Sequence, residues 1–277
     1  MGQMGEELHK VILVTGASHG IGRACANRLA IEGHHVYGTS RHPENVNELK
    51  NLNILAMDVN SDESVDALIN EVVGLEGRID VVINNAGFGI AGSIEDTSVE
   101  EAKSIFETNF FGLLRVCRAV VPKMREMGQG KIINISSLGG RIGLPFQGLY
   151  SATKFAVEGL SEALRMEVRQ FGIAVTVIEP GDMRTNFTDN RRYTKGSMDS
   201  SPYAVALKRT MNVVETDERQ GSSPEQVADL VARLVSRRSL KVRYSTGSLL
   251  QRGAAFVKQI VPGKFFEWAL MKYYKVV

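Results

Sequence analysis

A tyrosine and a lysine four residues apart, Tyr150 and Lys154, lie near the start of a stretch, 149–170, whose apolar spacing predicts a helix. Residues at that spacing share one helix face. An ammonium beside a phenol favours the phenolate. The ordinary phenol pKa of about 10 needs about 1.4 kcal/mol for each tenfold change in proton affinity. Such a pair can hand a proton to an oxygen or take one from it. Taken alone, it also suits a solvated helix surface. Upstream, Ser136 and Ser137 follow an apolar run at 131–135. A hydroxyl at the C-terminal end of a strand can donate to the same oxygen and steady the charge developing there. The residues themselves leave open which serine does so.

A second cluster suits phosphate. Thr15-Gly16-Ala17-Ser18-His19-Gly20-Ile21-Gly22 lies between an apolar run and a helical pattern. A chain that reverses sharply there, approaches a pyrophosphate with its backbone and packs a helix on a strand has no room for side chains. That explains Gly16, Gly20 and Gly22. The helix start then offers unpaired N–H groups and partial positive charge, with Ser18, His19 and Ile21 beside it. The spacing is neither G-x-G-x-x-G nor a Walker loop. Where an acid would bind a ribose 2′-hydroxyl, at the end of the second strand, the chain has Thr39, Ser40 and Arg41. An acid repels a 2′-phosphate, whereas a small hydroxyl followed by an arginine attracts it. Charge therefore selects NADP(H) over NAD(H), with His19 as a further donor.

These groups need a scaffold. Short apolar runs at 10–15, 35–39, 54–57, 79–83, 131–135, 173–178 and 241–245 read as strands. Helical spacing covers 21–32, 62–76, 99–127, 149–170 and 224–237, with Ser61 as a candidate cap and a kink expected at Pro122. The alternation predicts a doubly wound, Rossmann-type α/β fold: a parallel sheet of about seven strands with helices on both faces. The polar, aperiodic segment 181–201 reads as a substrate loop. The expected organisation is one NADP-binding catalytic domain over 1–250, followed by a helical extension over 251–277.

Composition narrows the function. The chain has 277 residues, 43% of them hydrophobic, with 33 basic against 31 acidic side chains, a balance too even for a nucleic-acid binder. Cys25 and Cys117 have neither metal nor redox spacing, and no metal site is expected. Acidic residues at 6–7 and the lack of a long apolar run argue against a leader or a membrane span, so a cytoplasmic location is expected. A G-x-S-x-G elbow is absent, which removes the α/β-hydrolase reading.

Four motifs in order resemble the short-chain dehydrogenase/reductase family over about residues 10–247: the T-G-x-x-x-G-x-G turn, Asn84-Asn85-Ala86-Gly87, Tyr150-x-x-x-Lys154 and Pro180-Gly181. The resemblance implies hydride transfer between an alcohol or carbonyl compound and a nicotinamide cofactor. It selects Ser137, thirteen residues before Tyr150, and adds Asn109 as a fourth catalytic member that helps hold a water between the lysine and solvent. It also implies cofactor contacts at Asp58, Val59, Asn85, Ala86, Gly87, Tyr150, Lys154, Pro180, Gly181 and Thr185, and a homodimer or homotetramer. Met183 departs from the family, which more often has a branched aliphatic there.

Phe88 and the stretch 138–146 are largely apolar and should face the substrate, which predicts a hydrophobic ketone, aldehyde or alcohol. The run 143–159 is similar to the 17β-hydroxysteroid and retinol dehydrogenase branch. Arg184, Arg191 and Arg192 would instead suit a carrier-linked acyl chain, so a 3-oxoacyl-thioester reductase is an alternative. A non-catalytic NADP sensor is another, although Tyr150 and Lys154 are both retained. Residues 251–277 carry five basic side chains, one acid and six of the nineteen aromatics, leaving net −2 for the rest. A basic, aromatic helix suits peripheral membrane contact, a cover over the substrate mouth, or a partner subunit.

Overall fold

The computed structural model describes residues 9–45, 50–197 and 200–276; the acidic start at 1–7 and two positions of the 181–201 loop lie outside them. Alternate side chains of the first strand, β1 (Val11–Val14), go to opposite faces. Ile12 and Val14 join one core cluster, while Val11 and Leu13 join another. β1 must therefore be covered on both sides, and all four of its residues are buried.

α1 (Gly20–Ile31) follows the glycine turn and packs on the first cluster through Cys25, Ala26 and Leu29. β2 (His35–Ser40) and β3 (Leu52–Ala56) extend the sheet in parallel. Before α2 (Asp62–Glu76), Ser61 accepts from the Ser64 N–H at 3.1 Å, and Gly77 ends the helix in the left-handed region at φ 74°. β4 (Val81–Asn84) returns to the other side of β1. That reversal in strand order opens a crevice at the C-terminal strand ends, next to the glycine turn.

The expected helix over 99–127 is three pieces. α3 (Val99–Phe106) and α4 (Leu113–Glu126) flank a π-helical turn, Glu107–Gly112. α4 runs through Pro122, so the departure from regular winding lies upstream of the expected kink. Tertiary contacts account for it. Asn109 is clamped to the backbone of Phe88, and a Cβ on Gly112 would come within 2.8 Å of Val59.

β6 (Gly130–Ile135) pairs with β4, and β7 (Ile173–Pro180) pairs with β6; β5 (Ile90–Ala91) forms a separate two-stranded ribbon with β8 (Arg192–Tyr193). α5 (Gly148–Glu167) crosses between β6 and β7. A polar relay sets its position. Asn84 Nδ2 donates to Asn134 Oδ1 across the strands at 2.9 Å, and Asn134 Nδ2 donates to Ser161 Oγ on α5 at 2.8 Å. Inside the sheet such groups must be paired, so they hold register and helix angle together.

α6 (Ala204–Arg219), which the sequence reading left out, precedes α7 (Glu225–Ser236) and β9 (Arg243–Thr246). The sheet order is β3-β2-β1-β4-β6-β7-β9, seven parallel strands with helices on both faces, as the alternation predicts. α1 and α7 cover one face; α2, α4 and α5 cover the other. The chain ends in α8 (Leu249–Val257) and α9 (Gly263–Tyr273). No helix among the described residues is long and apolar enough to cross a membrane.

Candidate active site

The glycine turn is locked to the end of β4. Thr15 Oγ1 accepts from the N–H groups of Asn85 and Ala86, and Asn85 Nδ2 donates to the carbonyls of Thr15 and Gly16 at 3.0 Å. Gly16 and Gly20 have φ of +66° and +57°, which favour glycine. A Cβ on Gly22 would lie 2.3 Å from Gly16 O and 2.4 Å from Asn85 Nδ2. Gly22 therefore serves the packing beneath the turn and does not face the crevice, whereas Gly16, Ser18, His19, Gly20 and Ile21 line it. The result is a cradle at the N-terminus of α1 in which the glycine positions leave the backbone uncovered, the shape and polarity a pyrophosphate requires.

From this cradle a cavity of about 910 Å³ extends in two directions. One arm is lined by Ser40, Arg41, Asp58, Val59, Ala86 and Gly87. Arg41 is exposed there and has no ion pair among the described residues. Ser40 Oγ accepts from the His42 N–H, and Asp58 Oδ1 accepts from the Asn60 N–H at 3.0 Å. The residues present fit a dinucleotide carrying a 2′-phosphate.

The other arm passes Ser137, Tyr150 and Lys154, then Pro180, Gly181 and Thr185. Ser137 follows β6, and its Oγ accepts from the Gly139 N–H at 3.0 Å. Tyr150 sits on the first turn of α5, with its ring 5.6 Å from that of Phe187. Lys154, one turn later, donates to Ile135 O at 3.0 Å, and its ammonium lies 5.8 Å from the Tyr150 ring centroid. Burial pushes the Tyr150 phenol up to about 12, while a hydrogen bond with Ser137 pulls against this. Burial also brings Lys154 down to about 8, opposed by the Glu158 carboxylate. The protein's own groups thus raise the phenol, contrary to the depression expected from an adjacent ammonium. The ammonium is directed to a backbone carbonyl, and desolvation dominates.

Asn109 is buried behind the cavity and does not line it. Its Oδ1 accepts from the Phe88 N–H at 3.0 Å, and its Nδ2 donates to Phe88 O and Thr153 Oγ1. Its side chain is committed to holding the 88 segment and α5.

Phe88, Leu138, Ile142 and Leu144 line the substrate arm, as their positions predict. Phe146 does not: it has φ 57° and packs instead beside Leu207 and Met211. The described residues of the 181–201 segment hold more regular structure than their polarity suggests. β8 pairs with β5, and Thr188, Arg191, Thr194 and Ser197 are buried. Of the three arginines there that could recruit an acidic group, Arg184 and Arg192 are exposed and Arg191 is not. Arg191 is wholly buried against Glu218, and the Arg192 guanidinium stacks 4.1 Å above the Phe88 ring centroid.

The C-terminal extension supplies the remaining wall, one of the three places expected for it, although the sequence singles out no individual residue of it as lining the site. Leu250, Gln251 and Ala254 from α8, Phe266 and Leu270 from α9, and Tyr274 just after it line the cavity. Ala255 and Phe266 pack on Leu138 and Ile142. Gln251 Nε2 donates to Asp182 Oδ2 at 2.5 Å, and Tyr273 donates its hydroxyl proton to Asp217 Oδ2 at 2.7 Å. No local signal marks Gln251; only the helical spacing of 251–277 hinted at a packed element. Of the three expectations for the extension, the structure realises the cover over the substrate mouth.

Comparison with known proteins agrees with this geometry. The short chain dehydrogenase family matches residues 10–196. The chain is 42% identical to the 3-ketodihydrosphingosine reductase of Bacteroides thetaiotaomicron over 268 residues, 96% of this chain and 98% of that one. Among solved structures, a short-chain dehydrogenase from Streptomyces avermitilis is 33% identical with a TM-score of 0.82, covering 97% of both chains. An alcohol dehydrogenase from Thermococcus sibiricus, complexed with 5-hydroxy-NADP, is 25% identical with a TM-score of 0.69 over 87% of this chain and 97% of that one. The chain belongs to the short-chain dehydrogenase family and is an oxidoreductase acting on CH–OH groups.

Proposed function

We propose that this short-chain dehydrogenase is an NADP(H)-dependent reductase of a long-chain, lipid-like ketone, and in reverse a dehydrogenase of the corresponding alcohol. The observation that carries the reading is the single cavity running from the α1 cradle past Tyr150 to an apolar wall supplied by α8 and α9. A pocket of this kind favours a hydrophobic substrate. Within the steroid, retinoid and lipid shapes that such a wall admits, the 42% identical 3-ketodihydrosphingosine reductase supports a long-chain ketone. Burial of Arg191 against Glu218 removes one of the three arginines that the carrier-linked thioester alternative relies on, while Arg184 and Arg192 stay exposed.

In this reading the cradle at Gly16, Ser18, His19, Gly20 and Ile21 holds the pyrophosphate. Ser40 and Arg41 take the 2′-phosphate. Asp58 and Val59 with Asn85, Ala86 and Gly87 border the adenosine, and Pro180, Gly181 and Thr185 border the nicotinamide. When bound, the cofactor supplies the hydride. Tyr150, whose proton is retained at neutral pH by a pKa of about 12, donates it to the substrate oxygen. Ser137 accepts from Gly139 and directs its own proton toward the Tyr150 oxygen, so it stands beside the phenol where it can donate to the substrate oxygen instead. Lys154, near its titration point at about 8, offsets the phenolate left behind and can return a proton to it. Asn109 acts by positioning the walls around them. Exposed Phe111, Phe155 and Met166 on the outer helices suit pairing with a second copy, as a homodimer or homotetramer.

The test is Tyr150→Phe. Reduction of a long-chain 3-ketone with NADPH is expected to disappear while NADPH binding, followed by fluorescence, is unchanged. Retained turnover overturns the mechanism. Wild-type preference for retinal, a ketosteroid or a 3-oxoacyl thioester overturns the substrate class.

A further inference from the structure

The C-terminal helices have a second face that the cavity does not use. Ala255 and Phe266 turn inward, but Leu249, Phe256, Ile260, Phe265 and Trp268 are 83%, 63%, 67%, 57% and 50% exposed. On α9, Phe265 stacks with Trp268 at 5.8 Å, and the Lys272 ammonium lies 5.1 Å from the Trp268 ring centroid. On α8, Leu249, Arg252 and Phe256 repeat at the spacing of one helix side. Arg252, Lys264, Lys272 and Lys275 are exposed among these side chains, with Glu267 as the one acid of 251–277. Lys258 does a different task. It donates to Arg141 O and sits 5.3 Å from the Phe155 ring centroid, tethering the extension to the domain.

This patch reaches the cavity mouth. Leu250 and Tyr273 line the cavity yet are 75% and 47% exposed, so they stand where it meets solvent. Aromatic and aliphatic side chains interleaved with lysine and arginine are the composition of an element that lies in a lipid headgroup layer.

We propose that α8 and α9 dock the chain on an anionic lipid bilayer, with Phe256, Ile260, Phe265 and Trp268 in the headgroup–acyl boundary and the basic side chains among the headgroups. Charge complementarity selects this occupant. A second copy meeting the patch about a twofold axis would bring net +3 against net +3, from Arg252, Lys264, Lys272 and Lys275 with Glu267, whereas anionic headgroups neutralise it. Docking sets the cavity mouth against the phase in which a long-chain ketone resides. Only that last consequence rests on the function proposed above.

Trp268 is the chain's single tryptophan and reports directly on the patch. The full chain is mixed with phosphatidylcholine vesicles with or without phosphatidylglycerol. With phosphatidylglycerol the emission is expected to shift to the blue and to resist acrylamide quenching, and binding should be at least about tenfold tighter than to phosphatidylcholine alone. The pair Ile260→Ser and Phe265→Ser should weaken vesicle binding by about tenfold or more. NADPH binding and reduction of a small water-soluble ketone should be unchanged. Emission that does not move at saturating vesicle overturns the proposal. So does a shift that follows protein concentration without vesicles, because a second copy then covers the patch. Vesicle binding without any ketone reduction upholds docking and overturns the proposed function; reduction without vesicle binding does the reverse.

Discussion

Replacing Lys154 by methionine should abolish activity and stabilise the fold. The side chain is 7% exposed, and burial lowers its pKa from 10.5 to about 8. At about 1.4 kcal/mol per tenfold change in proton affinity, keeping this lysine charged in the folded chain costs about 3 kcal/mol at pH 7. Methionine keeps the apolar stem and removes that cost. It also leaves Ile135 O without the 3.0 Å bond from Nζ, a loss of about 1–2 kcal/mol. The net gain expected at pH 7 is about 1–2 kcal/mol. The sign with pH follows from proton counting. Between about 8 and 10.5 the unfolded lysine holds a proton that the folded one has released. Wild-type stability therefore rises across that window on this account, and the advantage of the variant shrinks there. The assay is urea denaturation at pH 7 and pH 10, at one protein concentration and without nucleotide. Reductase turnover is followed in parallel and should fall by about 10²–10⁴. A variant less stable than wild type at pH 7, or one whose difference is equal at both pH values, refutes the reasoning.

If Arg41 takes the 2′-phosphate as proposed, Arg41→Glu should weaken NADPH binding by about 10–100-fold while leaving NADH unchanged or improved, because NADH lacks that group; equal losses for both cofactors would remove Arg41 from the site. Gly22→Ala forces a methyl to within 2.3 Å of the Gly16 carbonyl and should cost about 2 kcal/mol or more, read as a lower thermal midpoint with loss of nucleotide binding. Asp182 is raised to about 7, first by burial and then by Glu218 and Asp217. Its protonated form is favoured by the fold, so its contribution is full below about pH 4 and is lost as pH rises through about 7. Asp182→Asn should therefore raise the thermal midpoint at pH 8 more than at pH 5, and an equal change at both contradicts the assignment.

Much of the framework was legible along the chain because its signals are local. A strand buried on both faces must be apolar throughout, so Val11–Val14 announces itself. Ser61 carries its own capping chemistry. Gly16, Gly20 and Gly22 mark places where a Cβ does not fit, and Tyr150 and Lys154 share a helix face at any tertiary placement. What could not be read there depends on distant partners. The break in the long helix lies at Asn109 because Phe88, twenty-one residues away, claims its amide. Pro122, the local signal for a kink, is tolerated inside α4.

The same division governs the site. Residue types and their spacing determined the fold class, the phosphate cradle, the charge that prefers a 2′-phosphate, and the serine, tyrosine and lysine that meet at one end of the sheet. Tertiary structure decided the protonation balance of that group, since Tyr150 is driven up and Lys154 down by burial, which no local spacing encodes. It also decided the fate of the polar loop, whose Arg191 lies buried against Glu218. Finally, it turned one face of α8 and α9 into the far wall of the cavity. Helical periodicity specifies that such a segment has an apolar side, but only packing against Leu138 and Ile142 specifies which surface that side covers.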